Sequence, residues 1–239
     1  MLSEKQWMPD VVVRFMVALF TSIFLGVLLV SWLNSEYSPL AFDPKLVALV
    51  IGTVSFHGMT LLFADRFLRE HGTSWVVGFG FGAARRARSL ILAVLVGIAA
   101  LPIALSLGGL SARIMSSFNI TPEVQDTVKT LQETGSMETR ILIGLLAVGV
   151  APFAEEVVFR GILYPALKQQ GYPKLALWGT ALLFATMHFN VTLFLPLFFL
   201  AVILTLLYET TDNLLAPIVT HGVFNLANFY WLVSRSGVS

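Results

Sequence analysis

The chain has 239 residues, 56% of them hydrophobic and 12% charged, with a formal net charge of +1. Its mean hydropathy is +0.81, whereas soluble domains carry about 25% charged residues; the composition therefore excludes an ordinary soluble fold and points to an all-α, polytopic transmembrane helix bundle. The small net charge offers no basic surface for nucleic acid. The absence of cysteine excludes disulfides and thiolate-ligated zinc.

Apolar segments follow one another along the chain. The first runs from about Val11 to Leu33, too long for the core of a cleavable signal peptide and with no small-residue cleavage site behind it. Further segments are predicted over about Leu46–Ala64, Leu90–Leu110, Glu138–Lys168, Lys174–Phe189, Val191–Tyr208 and Leu214–Val233, most of them near the ~20 residues that cross a bilayer core. This gives about seven spans. Between the third and fourth, Thr121-Pro122-Glu123 has the residue types of an N-cap, a first-turn proline and an acidic first turn. A short surface helix over 121–134 is expected there, with Val124, Val128 and Leu131 on one face. A lid role for it rests only on its position. No repeat or linker divides the chain, so 1–239 reads as a single integral membrane domain with the motif-bearing helices within 138–233.

Lysine and arginine set the expected orientation. Arg66, Arg69, Arg85, Arg86 and Arg88 lie in one loop, which is placed in the cytoplasm together with the N-terminus. The Lys168–Lys174 turn then falls on the same side. The lack of organelle-targeting features points to a prokaryotic plasma membrane.

Against this apolar background stands Phe153-Ala154-Glu155-Glu156-Val157-Val158-Phe159-Arg160-Gly161. A charge at bilayer depth costs at least about 2.5–3.5 kcal/mol on insertion scales, so these groups need partners or a use. Glu156 and Arg160 stand i and i+4, the order that favours an ion pair. Pairing them leaves Glu155, about 100° around the helix, free to face something else.

Helix rise then sorts the remaining polar groups by depth. Glu155 lies about 20 Å before Lys168 and His188 about 21 Å after Lys174, so the two should reach one level on antiparallel neighbours. His221 and Asn225, again i and i+4, share a face; if Asp212-Asn213 lies at the same end, Asn225 comes near that level, with His221 somewhat nearer the cytoplasm. Glu155 then suits a general base for water, and a histidine with an asparagine suits an oxyanion. The same residues also allow a metal reading, in which Glu155, His188 and His221 hold zinc with one open position. There is no H-E-x-x-H, and no serine has a base beside it. His57, with no partner motif, reads as a packing residue, with lining the cavity as its alternative, and His71 reads as solvated.

These residues carry a family resemblance. Glu155-Glu156-x-x-x-Arg160, Phe184-Ala185-Thr186-Met187-His188 and His221-Gly222-Val223-Phe224-Asn225 resemble, in order, the three motifs of the CAAX-protease and bacteriocin-processing (CPBP, or Abi) family of intramembrane proteases, related to the type II CAAX prenyl endopeptidase. The resemblance covers about Ile141 to Tyr230. It implies that Glu155 and His188 activate water, that His221 and Asn225 stabilise the oxyanion, and that Glu156 and Arg160 support them. It also implies a membrane-associated or lipid-modified peptide as substrate. No metal is assigned, because asparagine is a poor zinc ligand; zinc-dependent hydrolysis is the alternative. A proton-coupled transporter and a non-catalytic immunity or binding protein are the competing classes, and the absence of inverted repeats counts against the first.

Overall fold

The computed structural model describes residues 2–36, 44–82, 86–121, 126–134 and 136–235. Nine helices and no strands lie among them. They are α1 (Pro9–Glu36), α2 (Pro44–Glu70), α3 (Trp75–Gly78), α4 (Arg86–Ser117), α5 (Asp126–Glu133), α6 (Met137–Gln169), α7 (Pro173–Thr186), α8 (Val191–Thr211) and α9 (Leu215–Arg235). Apolar side chains cover nearly the whole circumference of the long helices, as lipid-facing helices require. Helices α1, α2, α4, α6 and α8 are long and apolar enough to cross a membrane, and the protein is an integral membrane protein.

Two of the seven expected spans fall outside that set. Helix α7 has 14 residues, a rise of about 21 Å, short of the ~30 Å hydrocarbon core. It ends early because Phe189 takes a left-handed φ of 48°, after which the Asn190 side chain accepts from Leu193 N–H and starts α8. His188 therefore sits in the turn behind α7, not on the helix. Helix α9 is long enough, but His221, Asn225 and Asn228 make it less apolar than the five. Within the expected 121–134 stretch a helix does form, α5, with Thr130 and Leu131 buried; Pro122, Glu123 and Val124 lie outside the described residues.

One end of the bundle is tied together by polar contacts. Lys5 pairs with Asp212 at 3.4 Å, and Ser3 Oγ donates to the same carboxylate at 3.0 Å. Lys168 pairs with Glu209, which also accepts from the Tyr164 hydroxyl at 2.6 Å. Leu214 N–H donates to Phe79 O at 3.0 Å. Gly80 has φ +74°, and a Cβ there would lie 2.1 Å from Asp212 O, so only glycine lets these turns meet. The N-terminal segment, the loop after α2, the α6–α7 turn and the α8–α9 turn thus share one end, as the depth argument needed. His71 belongs to this layer and is not simply solvated. Its Nδ1–H donates to Phe67 O, its Nε2 accepts from Met8 N–H, and its ring meets Trp7 edge-on.

Helix α6 departs from regular geometry twice, at its prolines. Over Leu146–Val150 it widens into a π-turn, and Ala151 N–H reaches back to Leu146 O. The next residue, Pro152, has no N–H to give. A second π-turn covers Val157–Leu163 just ahead of Pro165. A carbonyl left over at each is met from elsewhere in the fold: Asn225 Nδ2 donates to Ala147 O at 2.8 Å and Trp7 Nε1 to Gly161 O at 2.9 Å. These two bonds pin α9 and the N-terminal segment to α6, satisfying groups that would otherwise be costly at bilayer depth.

Candidate active site

The residues between the two π-turns form the polar centre. Glu156 and Arg160 are buried, with side-chain exposures of 0% and 1%, and pair at 2.8 Å. Arg160 also donates to Ala201 O at 3.0 Å and to Thr205 Oγ1 at 3.4 Å, and its guanidinium lies 4.7 Å from the Phe184 ring centre. One arginine thus joins α6 to α8 and to the end of α7. Its fork of donors suits such a desolvated position better than a lysine would.

The oxygen of Glu156 that accepts from Arg160 also accepts from His221 Nδ1–H at 2.9 Å. This fixes the ring of His221 and aims Nε2 away from Glu156, the usual way in which a carboxylate orients an imidazole. That Nε2 stands 3.8 Å from Glu155 Oε2. On the other side, His57 Nε2 stands 4.0 Å from Glu155 Oε1. Glu155 keeps 15% of its side chain exposed and, unlike Glu156, makes no hydrogen bond among the described residues. The i, i+4 pairing and the turning-out of Glu155 follow the expectation from helix geometry.

His188 lies beside this centre without pairing with Glu155. Its Nδ1–H donates to Phe184 O at 2.8 Å, leaving Nε2 for other chemistry. The Phe184 ring is 4.9 Å from His188 and 5.7 Å from His221, centre to centre. Asn225 is committed through Nδ2 to Ala147 O, so one N–H and its carbonyl remain for any further partner. Thr220 Oγ1 donates to Ala93 O and Asn228 Nδ2 to Phe224 O, which makes them helix-packing groups. As arranged, Glu155, His188 and His221 do not form a metal cage: no three His, Asp or Glu side chains among the described residues converge closely enough to hold an ion.

His57 corrects the sequence reading, which treated it as a packing residue. It lies in a third π-turn, Val54–Gly58 of α2, and faces Glu155. A lone histidine in an apolar span gave one usable signal, its rarity: the chain has four histidines.

Fold and site together define a polytopic helical membrane protein that buries a carboxylate–arginine–imidazole network beside a more exposed carboxylate. Residues 137–227 match the family described as type II CAAX prenyl endopeptidase Rce1-like, so this part of the chain is similar to that family. The match encloses Glu155, Glu156, Arg160, His188, His221 and Asn225, and leaves out His57. Uncharacterized protein YpbD of Bacillus subtilis (strain 168) is 34% identical over 77 residues, covering 30% of this chain and 36% of that protein. The chain thus spans about a third of the length of this curated relative. No solved structure matches.

Proposed function

We propose that the protein is an intramembrane endopeptidase that cleaves a peptide bond in a membrane-associated, lipid-modified substrate by glutamate-activated water. The observation that carries the reading is Glu155, a carboxylate without a hydrogen bond of its own, set between two imidazole Nε2 atoms at 3.8 and 4.0 Å. A base near histidines and above a rigid ion pair is what peptide hydrolysis without a covalent nucleophile requires. The Rce1-like segment supports the substrate class.

In this mechanism water attacks the scissile carbonyl carbon and Glu155 takes its proton. His188 shares in activating the water through its remaining Nε2. The tetrahedral oxyanion is met by the remaining N–H of Asn225 and by His221 in its imidazolium form, which keeps Nδ1–H on Glu156 and offers Nε2–H as a second donor. As the C–N bond breaks, the proton on Glu155 passes to the departing amine nitrogen. Water is consumed, and a carboxylic acid and an amine are released. The chain works as one integral membrane domain of a prokaryotic plasma membrane with its N-terminus in the cytoplasm. A reporter fused after Arg86 that reads as external would overturn that orientation.

The test is cleavage of a prenylated CAAX peptide by purified protein in detergent, with and without a chelator. Turnover that survives the chelator and is lost in folded Glu155→Gln and His188→Ala supports the reading. Wild-type turnover in Glu155→Gln sinks it, and zinc-restored activity after chelation would move it to the metal-dependent alternative.

A further inference from the structure

The proposed hydrolysis leaves one question at its base. Glu156 is fixed by two hydrogen bonds on one oxygen, whereas Glu155 has none and can rotate its carboxylate. A general base must present one oxygen to the water, and a misplacement of about 1 Å can cost about 100-fold in rate. Two side chains flank that carboxylate, His221 at Oε2 and His57 at Oε1. His221 is already held by Glu156. His57 is therefore the group whose position relative to Glu155 is set independently, by a different helix.

Three features of His57 go beyond packing. Its side chain is 17% exposed and its Nε2 points at Glu155, while Phe56, the residue before it, packs against the main core and meets the His57 ring edge-on at 4.9 Å. It sits in a π-turn, and no proline stands within the following turn to force one, in contrast to α6. Such turns recur where a helix must aim a side chain at a site. Helix α2 is also the least buried of the five spanning helices, so the turn is not explained by dense packing around it.

We propose that His57 is a positioning residue for Glu155, holding Oε1 through its Nε2, directly after a small rotation or through one bridging water, so that Oε2 stays turned toward His221 and the reacting water. The role lies outside the Rce1-like match and rests on the hydrolytic reading of Glu155.

Two measurements test it. In the peptide assay, His57→Phe keeps the aromatic packing but lowers kcat by about 10- to 100-fold with KM changed less than about twofold, and His57→Gln, which keeps a donor at similar reach, recovers part of the loss. Wild-type kcat in His57→Phe overturns the proposal, as does a loss that His57→Gln does not relieve. Independently, protein carrying isotope-labelled histidine has four imidazoles, assignable by single substitution. The His57 nitrogen resonance shifts on Glu155→Gln and stays in place on Glu4→Gln, a change at an exposed residue. An unmoved His57 resonance in Glu155→Gln overturns the pairing. This second readout needs no substrate, so it decides the His57–Glu155 relationship even where the protease reading itself fails for want of turnover.

Discussion

His221 and Arg160 meet on a single oxygen of Glu156, at 2.9 and 2.8 Å. One buried carboxylate therefore both neutralises a buried guanidinium and orients a histidine of the site. The other oxygen, Oε2, has no partner among the described residues, so all of the holding is done on one side of the carboxylate. Removing one member of a buried pair costs about 3–5 kcal/mol, because the remaining charge is left uncompensated. Glu156→Gln should lose about that much stability by thermal unfolding in detergent. Glu156→Gln combined with Arg160→Met removes both charges and should regain most of the stability without regaining turnover, since His221 has lost its charged acceptor. Stability losses that simply add in the double variant would show that the two residues are not coupled.

Much of this network was legible because helix geometry dictates it. The i, i+4 spacing of Glu156 and Arg160, and the 100° offset that turns Glu155 elsewhere, follow from 3.6 residues per turn. Rise per residue brought α6 and α9 polar groups together only approximately: the Lys168–Glu209 and Lys5–Asp212 pairs put both turns at the same end, but His221, not the expected Asn225, meets Glu155 and Glu156, while Asn225 reaches Ala147. Other features were not legible. Span counting assumed that α7 continues to Phe189, but a left-handed backbone at that residue ends it early, and apolar composition carries no signal for such a stop. His57 carries no local motif, and its approach to Glu155 depends on the packing of α2 beside α6. The prolines at 152 and 165 were visible, but not the tertiary donors that serve the nearby carbonyls.

Pro152 gives a prediction in which stability and activity part company. This proline stands three residues before Glu155, and its missing N–H and ring accompany the π-turn over Leu146–Val150. Pro152→Ala supplies the donor and removes a residue that costs about 3 kcal/mol or more inside a helix. The turn should close toward regular α geometry and rotate Glu155 relative to His221. The melting temperature is expected to hold or rise while kcat falls at least about tenfold. A lower melting temperature with unchanged kcat would show that the widened turn is not what aims Glu155.

Gly222 lies beside His221 and faces the same widened turn. A Cβ there would stand 2.9 Å from Val148 O, a backbone atom that cannot swing aside. Gly222→Ala should push α9 from α6, cost about 1–3 kcal/mol and reduce turnover by moving His221. Gly149→Ala is the matched control, since its added Cβ meets nothing within 4 Å and alanine favours the helix. Equal melting temperatures for the two variants would remove the close approach as a constraint.

Trp7 tests whether the N-terminal segment is part of the folded unit. Its indole N–H donates to Gly161 O at 2.9 Å, and the residue that would serve this carbonyl in a regular α-helix is Pro165, which has no N–H. Trp7→Phe preserves most of the ring contact with Phe67 and His71 but leaves a buried carbonyl unpaired, at a cost of about 1–3 kcal/mol. Adding Pro165→Ala returns a donor to α6 and should recover part of the loss, so the double variant unfolds later than Trp7→Phe alone. Turnover per folded molecule should stay near wild type throughout, because Trp7 touches neither Glu155 nor the histidines that flank it. The decisive comparison is thermal unfolding of four proteins in one detergent: wild type, Trp7→Phe, Pro165→Ala and the double variant. If Pro165→Ala changes the melting temperature by the same amount with Trp7 as with Phe at position 7, the indole is not compensating for the proline, and the segment is held by its ring packing and its other polar contacts, those of Ser3 and Lys5 with Asp212 and of Met8 with His71.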